Sequence, residues 1–261
     1  MDIRNRLYED FLRPSKENEY ELILQTAQKC GYEFHTMRSF EDILREGGAN
    51  IEKKYLILRR DIDTADFKIL RKMLALEKKY GARATYYFRW NTLNVSLMKE
   101  IAESGGEASY HFEEIATFCY KHHIRTKEKM LEHIEEIRDL FIKQYFEFKE
   151  KTGMPCETIA SHGDYVNTKF QYQNKELIDD RVRKATGVIR EAYDLPHMNA
   201  LSCRVVDHVD YDLFTGQAIA AIERGEPVLE LLTHPRQWNS PFWINLKEEI
   251  NRACKGIYMR L

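Results

Sequence analysis

Apolar residues recur along the chain at two alternating spacings. Mostly apolar runs that predict strands lie at 55–63, 84–89, 107–113, 157–161, 187–193, 201–207 and 228–233. Between them, apolar residues follow helical spacing, as do Phe67, Leu70 and Leu74 in the segment that Gly81 ends. Strands that alternate with helices predict a parallel sheet with right-handed crossovers. Seven such strands suit a closed or nearly closed barrel better than an open sheet.

The longest predicted helix covers residues 126–150, with Thr126 suited to its N-cap. Further helices are expected near 66–80, 95–104, 174–186, 215–224 and 245–254. Before the first strand, residues 17–30 predict an amphipathic helix, followed by an extended piece at 32–36 and a helix near 39–46. We therefore expect an α/β fold in a single domain, in which an N-terminal helical extension (1–50) packs on a barrel (51–261).

Composition adds exclusions to this picture. The 261 residues include 40 basic and 42 acidic ones, and the net charge of −2 gives no electrostatic reason to expect binding to nucleic acid or to an anionic membrane. The charged start lacks the apolar core of a signal peptide, and no stretch approaches the roughly 18 apolar residues of a membrane span. Five scattered cysteines indicate free thiols. We expect a soluble cytoplasmic protein, and the sequence leaves its oligomeric state open.

Polar segments follow four of the predicted strands. They are residues 59–63 (RRDID), 110–114 (YHFEE), 161–164 (SHGD) and 233–235 (THP). Carboxylates and imidazoles that repeatedly lie just past strand ends are poor core residues. The C-terminal ends of parallel strands meet at one end of a barrel, where active sites lie, so the pattern predicts a metal-assisted active site at this mouth.

Asp61 and Asp63 are two residues apart on a strand, so their side chains share a face. Two such carboxylates repel each other unless a cation or proton lies between them. If one binds a metal, the other can stay ionised as a base. Alternatively, one of them caps the following helix while the other pairs with Arg60. If the Arg60 side chain reaches the mouth, it could bind an anionic group of the substrate. The alternation of side chains along the strand turns Arg60 away from Asp61, however, which favours a packing role for it.

Three of the four segments have a histidine as their second residue. His111 with a carboxylate suits Zn²⁺, Fe²⁺ or Co²⁺, although it could be a buried imidazole bonded to a backbone carbonyl. His162 is either a ligand or a turn residue, and His234 suits general acid catalysis. Glu113 shares a face with His111 if the strand continues. Substrate contacts are expected from four residues near the strand ends: Arg89, Glu113, Asp164 and Trp238, the last by stacking on a sugar, although aromatic residues are more often core.

Several of these segments resemble one known family in order along the chain. They are LILRRDIDTADFKILRKMLALEKKYGARATYYFR, GGEASYHFEEIATF, IASHGDY and LELLTHPRQW. Together they resemble the polysaccharide deacetylase superfamily, the NodB-homology or carbohydrate esterase family 4 group. The similarity is greatest to its intracellular branch, which carries an "LRHDVD" segment. The resemblance covers about residues 20–240.

The resemblance implies a distorted (β/α)7 barrel that holds one divalent metal ion, zinc above all, with iron, cobalt or manganese as alternatives. It implies hydrolysis of an N-acetyl or similar amide or ester, usually on a sugar. By position, Asp61 would be the base, Asp63 and His111 ligands, and His234 the acid. The chain departs from the family where Ile115 replaces a second ligating histidine and where Arg60 replaces the branch's histidine. The third ligand would then be His162 or Glu113.

Three functions remain open at this point. The first is a metal-dependent hydrolase that removes an acyl group, an N-acetyl group above all, from a sugar or sugar-nucleotide precursor of a surface glycan. The second is an allantoinase-like hydrolase of a small amide. The third is a catalytically inactive sugar-binding protein on the same fold. A wide mouth with an exposed tryptophan favours the first, a small closed pocket favours the second, and absence of bound metal favours the third.

Overall fold

Eight parallel strands form one sheet in the computed structural model, which describes residues 8, 11–50, 52–207 and 211–259. The strands are β1 (Tyr32–His35), β2 (Lys54–Ile62), β3 (Thr85–Phe88), β4 (Glu107–Phe112), β5 (Thr158–Ser161), β6 (Arg190–Glu191), β7 (Cys203–Val206) and β8 (Val228–Thr233). Their order is β6-β5-β4-β3-β2-β8-β7, and every pairing is parallel. The predicted α/β fold class is confirmed.

Strand β2 lies at the centre of this sheet. Its residues from Tyr55 to Ile62 are all buried, as in a parallel strand that is covered on both faces. On one edge it pairs first with β1, through residues 54–57, and then with β3, through residues 59–62; β8 pairs along the other edge. The seven strands predicted from Tyr55 onward are β2 to β8, although β6 has only two residues.

The sheet curls into a nearly closed barrel. Strands β2 and β6 are four positions apart in the strand order, which would separate them by about 19 Å in a flat sheet. Instead, the Arg59 guanidinium of β2 lies 4.5 Å from the ring centroid of Tyr193, just after β6. Arg204 of β7 lies 5.1 Å from the same ring. Side chains therefore bridge the gap between β6 and β7, where the described residues show no backbone pairing. The predicted distorted barrel is confirmed.

Helices connect and cover the strands. They are α1 (Glu17–Lys29), α2 (Met37–Arg45), α3 (Phe67–Tyr80), α4 (Val95–Glu103), α5 (Glu114–Lys121), α6 (Lys127–Glu132), α7 (Ile134–Thr152), α8 (Tyr165–Phe170), α9 (Asp180–Thr186), α10 (Leu195–Ala200), α11 (Tyr211–Arg224), α12 (Pro235–Trp238) and α13 (Phe242–Tyr258). Helix α3 shows the local rules clearly, because the Asp66 carboxylate accepts the Ile69 amide at its start and Gly81 ends it at a φ of 63°.

The helix predicted over 126–150 is two helices. Thr126 does cap the first, accepting the Lys129 amide, but His133 leaves helical geometry and separates α6 from α7. The segment predicted as one helix over 174–186 is a 3-10 turn at Asn174–Leu177 followed by α9, which the Asp179 side chain caps. Helix α5 begins at Glu114, whose position after the strand also suits the start of a helix. The sequence analysis missed the short helices α8, α10 and α12, which are too brief to show helical periodicity.

The N-terminal part of the chain contributes a strand as well as helices. Helix α1 packs against α3 and α11 with its buried residues Tyr20, Ile23, Leu24 and Ala27, while β1 joins the sheet beside β2. The expected boundary at residue 50 stays a prediction. Within the described ranges, no helix combines the length and the apolar character needed to cross a bilayer.

Candidate metal and catalytic site

Asp61 is held by a neighbouring arginine at the end of β2. Its two carboxylate oxygens accept bonds from Arg59 Nε at 2.9 Å and Nη2 at 2.7 Å, and both residues are buried. Burial raises the pKa of Asp61. The charge of Arg59, with the bonds it donates, lowers the pKa by more than burial raises it, so the pKa lies below the ordinary value. Asp61 is therefore ionised at neutral pH. The sequence analysis did not assign this role to Arg59, although two-residue alternation places it on the same face as Asp61.

The ring of His111 is fixed by a backbone carbonyl. Its Nδ1 lies 2.9 Å from the carbonyl oxygen of Ala160 in β5, and because a carbonyl only accepts, Nδ1 carries the proton. In a neutral ring Nε2 then presents its lone pair, 3.4 Å from Asp63 Oδ1 and 3.8 Å from Asp61 Oδ2. The two interpretations of His111 hold together, because a bond from the far nitrogen is how ligating histidines are oriented.

His162 approaches the Asp63 carboxylate from the end of β5. Its backbone amide donates to the Phe112 carbonyl, and its Nδ1 lies 3.1 Å from Asp63 Oδ1. Burial lowers the pKa of His162. The charge of Asp63 raises this pKa by less, so the pKa stays below the ordinary value for histidine. The neutral ring that results is the form that binds metals.

The three residues fit a divalent metal ion. Asp63 Oδ1 is buried and accepts no hydrogen bond of acceptable geometry, although two imidazole nitrogens face it. Ligand atoms of Asp63, His111 and His162 all lie within 4.8 Å of one another. Ligands at the usual zinc distances in a tetrahedron are about 3.3–3.4 Å apart, close to the separations seen here. A cation or a proton between such atoms relieves the repulsion of their lone pairs, and the donor set is one that a divalent ion prefers.

Glu113 is less suited to be the third ligand. Its carboxylate is bonded to Arg89 Nε at 3.1 Å and Nη2 at 2.6 Å. Glu113, His162 and Asp164 also lie close enough together to hold an ion. However, Asp164 is paired with Lys255 at 2.8 Å, so both carboxylates of that group are already neutralised by cationic side chains. His162 is the better third ligand in place of a histidine at Ile115, which is buried in the core.

His234 faces the group from the end of β8. Its Nδ1 lies 2.8 Å from Asp207 Oδ1, and its backbone amide donates to Asp207 Oδ2 at 2.6 Å. Its Nε2 lies 3.8 Å from Asp63 Oδ2. Burial lowers the pKa of His234, but the fully buried Asp207 outweighs it and raises the pKa to about 10. Its position at the end of a predicted strand places Asp207 at the mouth of the barrel, but sequence reasoning did not identify it as the partner of His234.

A cavity of about 280 Å³ opens beside the candidate ligands. Two of the predicted substrate contacts, Arg89 and Asp164, line it together with Asp63 and His162. Asp164 also accepts the Val166 amide as the N-cap of α8. The structure therefore places Arg89 and Asp164 beside the candidate metal group, and places Glu113 behind Arg89 as its partner.

The expected role of Trp238 is wrong. Its side chain is fully buried and packs against Tyr20 and Phe214, with ring centroids 5.1 Å and 5.8 Å away. It does not line the cavity beside the ligands, so it cannot stack on a bound sugar. Pro235 starts α12 directly after β8, and this turn carries Trp238 behind the barrel.

Arg60 has the packing role that strand alternation favours. Its guanidinium is buried, is bonded to Glu77 and Thr233, and lies 4.5 Å from the Tyr20 ring centroid. These partners lie between the sheet and the surrounding helices, on the opposite face of β2 from Asp61. The Arg60 side chain therefore does not reach the mouth of the barrel.

Comparison with solved structures finds proteins of low sequence identity. A Streptococcus pyogenes deacetylase, PplD, in complex with acetate is 15% identical; the match covers 72% of this chain and 74% of that one, with a TM-score of 0.43. A CE4 family pseudoenzyme from Bacillus anthracis is 14% identical over 77% of this chain and 63% of its own, with a TM-score of 0.44. A mutant of that pseudoenzyme with restored enzymatic activity also matches, at 15% identity, over 77% of this chain and 65% of its own, with a TM-score of 0.44. No family model and no curated protein matches the chain. Matches at these identities and TM-scores support no statement about the reaction of this chain.

Proposed function

We propose that this protein is a metal-dependent hydrolase that removes an acyl group, an N-acetyl group above all, from an N-acylated sugar. The observation that carries the proposal is the convergence of Asp63, His111 and His162 on one point, with Asp61 and His234 each within 3.8 Å of that group. Zinc is the ion we expect with two imidazoles and a carboxylate, and iron, cobalt or manganese would suit the same donors.

When bound, the ion supplies Lewis acidity and lowers the pKa of a coordinated water. Asp61 would accept, at a carboxylate oxygen, the proton of the water that attacks the acyl group. Arg59 keeps this carboxylate ionised and fixes its orientation. The Arg59 pair also makes Asp61 a weaker base than a free carboxylate, because it favours the charged form.

His234 is the group that donates a proton to the departing nitrogen. Asp207 keeps the imidazole protonated and turns Nε2 toward the ligands. The Nε2 atom of His234 lies 3.8 Å from Asp63 Oδ2, while the other oxygen of that carboxylate lies 3.4 Å from His111 Nε2. The same His111 nitrogen lies 3.8 Å from Asp61 Oδ2, so acid and base are close to one ligand group. An acid and a base at one metal group are the arrangement that amide hydrolysis needs.

The size of the cavity favours a small substrate. At about 280 Å³ it lies just below the roughly 300–1,000 Å³ of typical ligand pockets. A sugar or sugar-nucleotide precursor of a surface glycan stays our first proposal, with the cytoplasm as its location. A small-amide hydrolase is the second candidate, favoured by this cavity and by the burial of Trp238.

Two sets of variants test the proposal. Asp63→Ala and His111→Ala should each empty the site, while Asp61→Asn should keep the metal and lower kcat by about 10²–10⁴-fold. The measurements are elemental analysis of the purified proteins and acetate release from N-acetylated sugars by the metal-loaded enzyme.

His133→Ala, far from the site on the α6–α7 junction, is the matched histidine control and should leave both quantities unchanged. Full metal occupancy in Asp63→Ala and His111→Ala would show that these two residues are not the metal ligands. A wild-type protein that binds an N-acetylated sugar but holds no metal and releases no acetate would instead support a sugar-binding protein without activity.

A further inference from the structure

The C-terminal helix α13 forms one wall of the cavity. Glu248, Asn251, Arg252 and Lys255 line it together with the candidate ligand His162. Their spacing of three and four residues places them on one face of the helix. From residue 248 to residue 255 the helix rises by about 10 Å, so the wall spans about two turns.

This wall reaches from the end of β3 to the end of β5. At its far end Lys255 pairs with Asp164, which follows β5, at 2.8 Å. At its near end the Glu248 charge acts on Arg89, which follows β3. Helix α13 therefore covers the side of the mouth that β3, β4 and β5 form.

Contacts at both ends fix the wall in place. Lys169 of α8 donates to the carbonyl oxygen of Met259 at 2.7 Å, and Arg236 of α12 lies 2.9 Å from Glu249. The Lys255–Asp164 pair lies between these contacts, and its carboxylate is buried. These bonds anchor α13 to two elements that follow barrel strands, so the wall is part of the barrel's end and does not swing on one hinge.

A wall on one side of the mouth limits how a chain-like substrate can bind. An interior unit of a polymer has a neighbour on each side and needs a groove that is open at both ends. Here α13 lines one side of the cavity beside His162, and the cavity of about 280 Å³ has room for little more than one ring. We infer that α13 restricts the substrate to a single N-acylated unit, either free or at the end of a chain. This inference rests on the proposed function and narrows its substrate.

The inference is tested with N-acetylglucosamine and its β-1,4-linked hexamer on the zinc-loaded protein. We expect acetate release from the monomer, and from the hexamer only at one terminal unit, located by mass spectrometric sequencing. Ligand-observed NMR should show binding of the monomer. Deacetylation at interior units would overturn the size limit and leave the proposed function standing. If neither sugar binds or is hydrolysed while zinc binds normally, both the sugar substrate and the limit fail.

A variant that fills the cavity makes the test specific to the wall. Asn251→Trp places a large ring on the face that lines the cavity and should raise KM for the monomer at least tenfold, with zinc content unchanged. Ile250→Trp is the matched control, because the neighbouring side chain is exposed and does not line the cavity. Its KM should equal that of the wild type. An unchanged KM in Asn251→Trp would show that substrate does not bind against α13.

Discussion

The protonation of His234 depends on one buried carboxylate. Asp207 accepts bonds from both the ring and the backbone amide of His234, and no solvent reaches its oxygens. Burial is the largest single influence and lowers the pKa of His234, and Asp207 is the largest of the influences that raise it. Two atoms of one residue thus decide whether the proposed acid carries its proton at neutral pH.

Replacing Asp207 by asparagine should therefore change the pH profile of hydrolysis. The proposed acid works protonated, and its pKa is raised, so activity is lost as the pH rises through that pKa. In Asp207→Asn the pKa falls, and the basic limb of the kcat profile should move to lower pH, by at least one unit. Asp194→Asn, at a carboxylate paired with Arg183, is the control and should leave the limb in place. A basic limb at the wild-type position in Asp207→Asn would remove His234 from the proposed role.

Neighbouring arginines show what the sequence could predict at single positions. Strand alternation placed Arg60 on the helix side of β2, and its contacts there agree. The same rule places Arg59 beside Asp61, but only the fold shows that Tyr193 and Asp61 surround it. Likewise, the pattern suggested His162 as a ligand but could not exclude Glu113, because the bonds to Arg89 come from a different strand.

Helix α4 and the start of β3 pack closely against Gly106, the residue before β4. An added Cβ at Gly106 would lie 2.9 Å from Ile101 Cγ2 and 3.1 Å from the carbonyl oxygen of Ala84. Ile101 belongs to α4 and Ala84 directly precedes β3, so Gly106 lets the helix, β3 and β4 meet. Strand β4 carries His111, so this packing also positions a candidate ligand.

Gly106→Ala should lower stability by about 1–3 kcal/mol, the usual cost of overpacking, because the backbone carbonyl cannot move aside easily. Gly216→Ala in α11 is the opposite case, since nothing lies within 4 Å of its added Cβ. Alanine there should raise stability by about 0.5–1 kcal/mol through its better helix propensity. Urea unfolding of both variants measures the difference. Equal stability of Gly106→Ala and the wild type would show that the close contact relaxes without cost.

Helices and strands could be predicted where the apolar periodicity extends over many residues and the residues that end the element lie next to it in the sequence. Helix α3 agrees with its predicted segment because Asp66 and Gly81 mark its ends within the sequence. The break at His133 was not predictable, because apolar spacing continues through it into α7. Strand β6 is shorter than predicted because the chain turns soon after Glu191, where Tyr193 contacts Arg59. This is a contact between distant segments, which the local sequence does not show.

At the scale of the whole molecule, the barrel is completed by charged side chains. We call Arg59, Tyr193, His197, Arg204 and Glu230 the closing cluster. The Tyr193 ring lies between the two guanidinium groups. Glu230 of β8 accepts from Arg204 Nε at 2.6 Å and lies 2.7 Å from His197 Nε2. The seven-strand pattern predicted the barrel, but the charges that bridge β6 and β7 are contacts between distant segments and have no local signal.

The closing cluster should make stability depend on Glu230 and on pH. Burial raises the pKa of Glu230, but His197 and the arginines outweigh it and lower the pKa to about 2. A carboxylate whose pKa is depressed on folding stabilises the protein above its unfolded pKa of about 4.3, and this stabilisation is lost as the pH falls toward 2. Glu230→Gln leaves buried cations without their partner and should cost about 3–5 kcal/mol at pH 7.

Urea unfolding between pH 7 and pH 3 measures this dependence. The difference in unfolding free energy between Glu230→Gln and the wild type should be constant near neutrality and should narrow below about pH 4, because the unfolded wild type then binds a proton at Glu230 that the folded protein does not. Glu223→Gln, an exposed change on α11, should stay within about 0.5 kcal/mol of the wild type at every pH. A difference that does not change with pH would mean that Glu230 stabilises the barrel through its shape and hydrogen bonds, and that its charge does not close the gap between β6 and β7.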